Sequence, residues 1–148
     1  HSFPTRRSSD LTLWFGTWGW KNMAYGLNRL LAVLKDERGS VRSVYSEEEI
    51  AAEPRKDQAK LFFLPSDRKR HEEFVLLMSG GAYGAVCTLP ESLPVAAKLN
   101  ELGFDCFCVN YRTAVPEDAG SGLFPMPADD LAACWNYIRP PPAITPST

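Results

Sequence analysis

Histidine is scarce in this sequence, with only His1 and His71 among 148 residues. A mechanism that needs a histidine base must use one of these two or take the base from elsewhere. Four cysteines are too few for the disulfide framework of a small secreted scaffold. The apolar run FVLLM at residues 74–78 is far shorter than the roughly 18 residues of a membrane span. We therefore expect no membrane span.

Neither sign of charge dominates the chain. Sixteen Lys and Arg face eighteen Asp and Glu, which gives a net charge of −2. A nucleic-acid-binding domain usually carries a basic surplus, so we expect no nucleic-acid partner. The 45% hydrophobic and 23% charged residues are typical of a soluble globular protein, and the length allows one domain at most.

Both ends of the chain have an unusual composition. The first eleven residues, HSFPTRRSSDL, match the in-frame translation of a common short-read sequencing adapter, so we expect residues 1–11 to be non-native. Residues 139–148, RPPPAITPST, interrupt a helical pattern with three consecutive prolines. They are either a natural linker or the product of a frame slip. The native domain is expected over residues 12–138, and the sequence leaves open its oligomeric state and whether it is cytoplasmic or secreted.

The first periodic segment predicts a helix over about residues 22–35. Gly26 within it costs about 1 kcal/mol relative to alanine, so tertiary packing must hold this helix. The aromatic residues just before it fit packing better than a carbohydrate platform. The expected buried stripe is Met23, Leu27, Leu30, Leu31 and Leu34, and the aromatic residues are Trp14, Phe15, Trp18 and Trp20.

The rest of the chain alternates between strand and helix signals. Short β-prone runs predict strands at residues 41–45 and 60–64, with a polar connection between them. The run at 74–78 is apolar on both alternating faces, as in a strand buried on both sides, and 104–109 has the same character. Helices are expected from Ser92, as N-cap, to residue 102, with Gly103 as C′ residue, and from Pro127 to about 138. This order predicts an α/β fold.

The apolar faces of the two later helices follow from the same periodicity. The expected buried residues are Leu93, Ala96, Leu99 and Leu102 in the first of these helices, and Leu131, Cys134, Trp135 and Ile138 in the second. Asp129 and Asp130 suit the positive end of the last helix. We also expect an ion pair between Arg112 and Asp130 that ties the end of a strand to the start of this helix.

The glycine-rich turn SGGAYG at residues 79–84 is the most informative segment. Small residues after a buried strand let backbone N–H groups face a cleft. These groups would stabilise the oxyanion of an attacked ester carbonyl, or they would cradle a pyrophosphate. The spacing favours the first function. Ser79 replaces the first glycine of a dinucleotide turn, prolines delay the next helix, and no acidic residue ends the next strand.

Four segments together resemble the N-terminal half of α/β-hydrolase esterases, in particular the lipase-like acetyl and feruloyl carbohydrate esterases. They are FVLLMSGGAYG at 74–84, LPVAAKLNELG at 93–103, VNYR at 109–112 and FPMPADDL at 124–131. The resemblance implies a mostly parallel sheet flanked by helices. It also implies that the oxyanion hole takes an N–H group from Gly81 or Ala82, with Gly80 as a third candidate for that donor, and that Tyr83 shapes the substrate pocket. Ser79 stands where lipases of this type have histidine.

The resemblance also implies a Ser, Asp or Glu, and His triad in that chain order, with the serine in a G-x-S-x-G turn. The chain has no such motif, so we expect the triad beyond residue 138 and no catalytic residue within the chain. The parent is expected to hydrolyse small carboxylic esters such as acylated sugars, without a cofactor, while this chain is inactive. A serine peptidase of the same fold and a Rossmann-like nucleotide-binding domain are the alternatives.

The remaining reactive side chains have structural explanations. Cys106 and Cys108 share one strand face, but no second pair or nearby histidine completes a metal site, so we expect buried structural thiols. Cys87 and Cys134 have the same interpretation. His71 lies in a mixed-charge loop before a strand, where a catalytic role is not expected.

Overall fold

The computed structural model describes residues 19–115, 118 and 123–139. Its elements are helix α1 (Trp20–Lys35), strand β1 (Ser40–Ser43), helix α2 (Glu47–Ala52), a 3₁₀ turn (Pro54–Gln58), β2 (Lys60–Leu64), β3 (Phe74–Met78), a π-helical turn (Thr88–Ser92), α3 (Leu93–Leu102), β4 (Asp105–Asn110) and α4 (Met126–Ile138). Residues 1–11, the aromatic residues Trp14, Phe15 and Trp18, and residues 140–148 lie outside the described residues. No helix in the described part is long and apolar enough to cross a membrane.

The four strands form one mixed sheet in the order β1-β2-β4-β3. The β1–β2 and β2–β4 pairs are antiparallel, and β3 and β4 are parallel, joined by the crossover that contains α3. In this register Leu76 lies opposite Phe107, and Leu61 lies opposite Val109. The prediction of an α/β fold is therefore confirmed, with two of the three strand pairs antiparallel.

The core has two parts, which contain different residues of the central strands. The first combines residues of α1 and α3 with β2 and β4: Leu30, Val33, Leu64, Leu93, Ala96, Cys106 and Cys108. The second combines α4 with the same strands: Leu61, Val109 and Cys134. The predicted burial of Cys106, Cys108 and Cys134 is confirmed, since each side chain is inaccessible to solvent.

Helix α1 buries a different face from the predicted one. Leu27 and Leu31 are exposed, whereas Gly26 and Val33 are buried together with Leu30. The reason is the close approach of α3, because a Cβ atom on Gly26 would lie 2.5 Å from the Pro94 nitrogen. The pattern of hydrophobic residues did not reveal that Gly26 marks the contact between α1 and α3. The low helix propensity of Gly26 did predict that tertiary packing holds the helix.

Strand β3 is an edge strand in the described sheet, so the prediction that it is buried on both sides is wrong. Its residues are half-buried, and Met78 at its end is 42% exposed. The outcome for Trp20 also differs from the prediction, because its side chain is 69% exposed rather than packed. Strand β4 has a strand on each side and is the buried strand that its sequence predicts.

The connection between β1 and β2 is more ordered than predicted. Ser46 and Glu49 form a capping box, in which each side chain bonds to the other residue's backbone N–H, and this box starts α2. The strand predicted at 60–64 matches β2, whereas β1 begins and ends earlier than predicted.

Helix α3 begins differently from the prediction. Ser92 has helical dihedral angles and continues from the π-helical turn, so it is not an N-cap. Gly103 ends the helix with a φ of 101°, as predicted. Leu93 and Ala96 are buried, but Leu102 is 54% exposed. In α4, Cys134 is buried while Trp135 is exposed, because the helix presents a narrower face to the sheet than its apolar residues suggested.

Asn100 of α3 links several elements through its buried side-chain amide. Its Nδ2 donates to the carbonyl oxygens of Leu64 and Phe104, each at 2.9 Å. Its Oδ1 accepts from Nε of Arg29 at 3.0 Å, and the Arg29 guanidinium also binds Asp67. These bonds join α1 and α3 to the carboxyl end of β2. They also give the buried amide of Asn100 the hydrogen-bond partners that a buried polar group needs.

Candidate functional site

The turn at residues 79–84 lies at the carboxyl end of β3, where the parallel neighbour β4 also ends. Ligands of α/β proteins commonly bind at this edge of the sheet. Asn110, Tyr111 and Arg112 follow at the same edge, so the turn and the NYR segment meet there.

The backbone of this turn is left-handed at consecutive positions. Gly81 has a φ of 136°, and a Cβ atom there would lie 2.1 Å from the Ala85 carbonyl oxygen, so only glycine fits. Ala82 and Tyr83 have φ values of 51° and 58°. Left-handed backbone costs an L-residue roughly 1–2 kcal/mol, so the surrounding contacts must impose this conformation.

Hydrogen bonds hold the turn from outside and from within. The Gly80 amide donates to the Glu91 carboxylate at 2.8 Å, and the Gly80 carbonyl accepts from the Cys87 amide at 3.0 Å. The Gly81 carbonyl accepts from the amides of Gly84 and Ala85 at 3.0 and 3.2 Å. These bonds fix the path of the backbone between β3 and the π-helical turn.

Three successive amides in the turn have no acceptor in the part of the chain that the structure describes. The N–H groups of Gly81, Ala82 and Tyr83 donate to no other described residue. The carbonyl of Tyr83, by contrast, accepts from the Ala114 amide at 2.7 Å. Of the three candidate donors, Gly81 and Ala82 therefore have no acceptor among the described residues, whereas the Gly80 N–H is bonded to Glu91.

Ser79 is buried beneath the turn and is bonded to neutral groups. Its hydroxyl bonds to the Ser92 hydroxyl, and its carbonyl accepts from the Tyr111 hydroxyl at 2.9 Å. Burial raises the pKa of Tyr111, and the neighbouring Tyr83 adds to the shift. The hydrogen-bond partners of Ser79 include neither a histidine nor a carboxylate, so the side chain supports the turn and is not an activated nucleophile.

Tyr83 extends outward from the turn. Its side chain is 52% exposed, and its ring lies edge-on to Tyr111 with the ring centroids 6.1 Å apart. An aromatic edge is thus available next to the free amides, which is compatible with the predicted part in a substrate pocket.

The NYR segment supports the same edge of the sheet. Asn110 bonds to Thr88 of the π-helical turn through their side chains. The Arg112 guanidinium forms an ion pair with Asp130, as predicted, and Asp130 also accepts from the Tyr45 hydroxyl at 2.7 Å. These side chains hold the backbone at the edge of the sheet where the turn lies.

His71 lies at the opposite end of the sheet from the turn, because it precedes β3. It is half-buried rather than solvated, with its ring stacked on Phe104 at 3.8 Å between centroids. The stack explains the histidine as a packing residue and places it far along the strand from the free amides.

The thiols and acidic groups do not assemble into a metal site in the part of the chain that the structure describes. Burial raises the pKa of Cys106, Cys108 and Cys134 to about 12, which keeps these thiols protonated. A protonated thiol is a poor metal ligand, because metals bind the thiolate.

Two shallow cavities lie away from the turn. One of about 490 Å³ is lined in part by Tyr45, Lys56 and Asp129. Another of about 500 Å³ lies beside Arg29 and Glu101. No residue of the 79–84 turn lines either of them. Ala82 and Tyr83 in the turn are exposed to solvent.

Sequence reasoning missed Glu91 as a partner of the turn. The residue lies in a proline-containing stretch that gave no helical or catalytic signal, and its contact with Gly80 depends on the π-helical turn folding back.

The strand directions of the sheet also bear on the alternative of a nucleotide-binding domain. A dinucleotide-binding half is built of parallel strands, whereas β2 and β4 are antiparallel here.

No family model and no curated protein matches the chain. Among solved structures, MGS-M1, an α/β-hydrolase enzyme from a Medee basin deep-sea metagenome library, is similar at 16% sequence identity and a TM-score of 0.50. The match covers 68% of this chain and 38% of that one. A bacterial heroin esterase matches at 34% identity and a TM-score of 0.42, over 54% of this chain and 24% of that one.

The chain thus spans about 38% of the length of the metagenomic hydrolase. The likeness to that enzyme confirms the predicted relationship in fold: the chain has part of the α/β-hydrolase fold. The finer prediction, the carbohydrate-esterase group, stays a prediction.

Proposed function

We propose that this chain is part of a serine hydrolase that cleaves carboxylic esters, such as acylated sugars or similar small esters. In this proposal the turn at 79–84 supplies the oxyanion hole, and the triad belongs to a further part of the protein. The observation that carries the proposal is that the amides of Gly81 and Ala82, at the carboxyl end of β3, donate to no described residue.

The chemistry needs donors of this kind. When a nucleophile attacks an ester carbonyl, the carbonyl oxygen gains negative charge, and N–H groups already aimed at it stabilise the transition state. Loss of one such donor typically lowers kcat by about 10²–10³-fold. The Gly81 and Ala82 amides are held in place before any substrate binds, whereas the Gly80 amide is already bonded and cannot serve.

The free edge of β3 supports the location of the missing groups. A further strand that paired in parallel with β3 would end beside the turn, because carboxyl ends of parallel strands meet at one edge of a sheet. A nucleophile at the end of that strand would face the free amides. The chain itself carries no G-x-S-x-G motif that could supply the nucleophile.

The test has two arms. The purified chain should release no p-nitrophenol from p-nitrophenyl acetate above a Gly81→Pro control. The complete reading frame, recovered from the nucleotide contig, should hydrolyse the ester. In that protein Gly81→Ala should lower kcat by about 10²–10³-fold by displacing the donors, while Ala85→Gly, immediately after the turn, should leave kcat near that of the unsubstituted protein.

Three results would overturn the proposal. They are steady turnover by the chain alone, a complete frame without a nucleophilic serine, and a Gly81→Ala protein with unchanged kcat. The alternatives are separated in the same material. Hydrolysis of p-nitroanilides in preference to esters would indicate a peptidase, and thermal stabilisation by NAD⁺ or ATP would indicate nucleotide binding.

A further inference from the structure

We infer that Glu91 is a positioning residue for the turn at 79–84, an inference that rests on the proposed function of that turn. By accepting a hydrogen bond from the Gly80 amide, its carboxylate fixes the start of the turn and leaves the amides of Gly81 and Ala82 available to an oxyanion. Glu91 belongs to the π-helical turn Thr88–Ser92, outside the glycine-rich segment itself.

Both backbone groups of Gly80 are held by the segment around Glu91. The amide donates to Oε2 of Glu91 at 2.8 Å, and the carbonyl accepts from the Cys87 amide at 3.0 Å. The Glu91 amide in turn donates to the Cys87 carbonyl at 3.0 Å. Gly80, Cys87 and Glu91 thus form a closed clamp at the point where the chain leaves β3.

The carboxylate is used for this contact alone among the described residues. Glu91 forms no ion pair with any lysine or arginine that the structure describes, and its one side-chain hydrogen bond is to the Gly80 amide. A hydrogen bond to an ionised acceptor is about twice as strong as one between neutral groups. A Cβ atom on Gly80 would lie 3.6 Å from the same carboxylate oxygen, so the side chain lies directly against the glycine.

The strain in the turn explains why such a clamp is needed. Ala82 and Tyr83 adopt left-handed conformations that L-residues rarely hold unless their surroundings determine them. The internal bonds to the Gly81 carbonyl close the turn but do not orient it on the sheet. The bond from Gly80 to Glu91 orients the turn at its start, and the bond from the Ala114 amide to the Tyr83 carbonyl holds its far end.

The first measurement uses the whole isotope-labelled chain and amide hydrogen exchange. Glu91→Ala should reduce protection of the Gly80 amide about tenfold or more, the size expected for losing a bond to a charged acceptor. Glu91→Gln keeps an acceptor oxygen at the same reach and should retain most of the protection. Glu91→Asp keeps the charge but is one methylene shorter, so it should behave like the alanine variant. Glu72→Ala, in the exposed loop before β3, is the matched control and should change nothing at Gly80.

The second measurement uses the complete enzyme. Glu91→Ala should lower kcat with little change in KM, and Glu91→Gln should restore most of the rate, because only the placement of the donors is lost. If the alanine chain is insoluble, the aspartate and glutamine pair gives the same comparison.

The outcomes separate this inference from the proposed function. Unchanged Gly80 protection in both Glu91→Ala and Glu91→Asp overturns the clamp, whatever the chain catalyses. Lost protection with unchanged kcat, while Gly81→Ala still lowers kcat, overturns the positioning role of Glu91 and leaves the proposed hydrolase function intact. Unchanged kcat in all of these variants shows instead that the turn is not an oxyanion hole.

Discussion

The Arg112 guanidinium and the Asp130 carboxylate meet at 2.8 Å in a site from which solvent is almost excluded. The Asp130 side chain is fully buried, and the Arg112 side chain is 3% exposed. Asp130 also accepts a hydrogen bond from the Arg112 backbone amide at 2.7 Å. The carboxylate therefore holds both the side chain and the backbone of Arg112. This pair fastens the end of β4 to the first turns of α4.

Removing Asp130 should be costly because the Arg112 guanidinium loses its buried carboxylate partner and keeps only an ion pair with the more exposed Glu53. We expect Asp130→Ala to lower the free energy of unfolding by about 3–5 kcal/mol, measured by urea denaturation. Asp130→Asn, which keeps a polar side chain of the same size, should lower the free energy of unfolding by less. A double-mutant cycle with Arg112→Met should give a coupling above about 0.5 kcal/mol, and additive effects of the two substitutions would refute the pair's energetic role.

The glycine in α1 should tolerate no side chain. Although alanine favours a helix by about 1 kcal/mol, Gly26→Ala would place a Cβ atom 2.5 Å from the Pro94 nitrogen. We expect a net loss of about 1–3 kcal/mol in the free energy of unfolding. Asn28→Ala, at an exposed position on the same helix, should be neutral or slightly stabilising. A Gly26→Ala protein with a raised urea midpoint would contradict the close packing of α1 on α3.

Ala82 should be improved by glycine. Its φ of 51° strains an L-residue, and glycine removes that strain at the expense of a more flexible unfolded chain. We expect Ala82→Gly to raise the free energy of unfolding by about 0.5–1 kcal/mol while keeping its N–H donor. Ala85→Gly is the comparison, since Ala85 lacks a positive φ and should lose stability. Equal losses in the two variants would show that the turn is not left-handed at Ala82.

The four thiols should differ in reactivity. Cys87 is half-buried, and burial raises its pKa, with the nearby Glu91 adding to the shift. The other three thiols are fully buried, and burial raises the pKa of each to about 12. With the thiol reagent DTNB at pH 8, Cys87 should react first and the others only as the domain unfolds. Loss of the early phase in Cys87→Ser would confirm the assignment, and two or more early thiols in the unsubstituted chain would contradict it.

The free edge of β3 should make the chain self-associate. Its five apolar residues carry unpaired backbone groups along one side in the described sheet, and edge strands of this kind pair with other chains. Sedimentation velocity should show an apparent mass that rises with concentration. Met78→Lys should reduce the rise, because a charge at the edge opposes pairing. Leu31→Lys, at a 53% exposed position on α1, should not reduce it, and equal effects of both substitutions would argue against the edge.

Several features of the fold were predictable from local sequence. The strand predicted at 60–64 matches β2, and β4 has the apolar character of a central strand. Gly103 ends α3, as its place after the helical pattern predicts. The pairing of Arg112 with Asp130 was also predictable, because a strand end and a helix start come together at one sheet edge. The buried face of α1 was not, since Gly26 becomes a contact only when α3 lies against it. The edge position of β3 was not predictable from local sequence either, because it depends on the order of the strands in the sheet.

By itself, the amino-acid sequence determined that small residues follow β3, and hence that the backbone N–H groups of the turn are unobstructed by side chains. Only the tertiary structure decided which of these groups are free. The Gly80 amide is bonded to Glu91, eleven residues further along the chain, while the Gly81 and Ala82 amides have no acceptor among the residues that the structure describes. The physical reason is that hydrogen-bond partners are chosen by distance in space, and the π-helical turn brings Glu91 back to Gly80 only when the chain has folded.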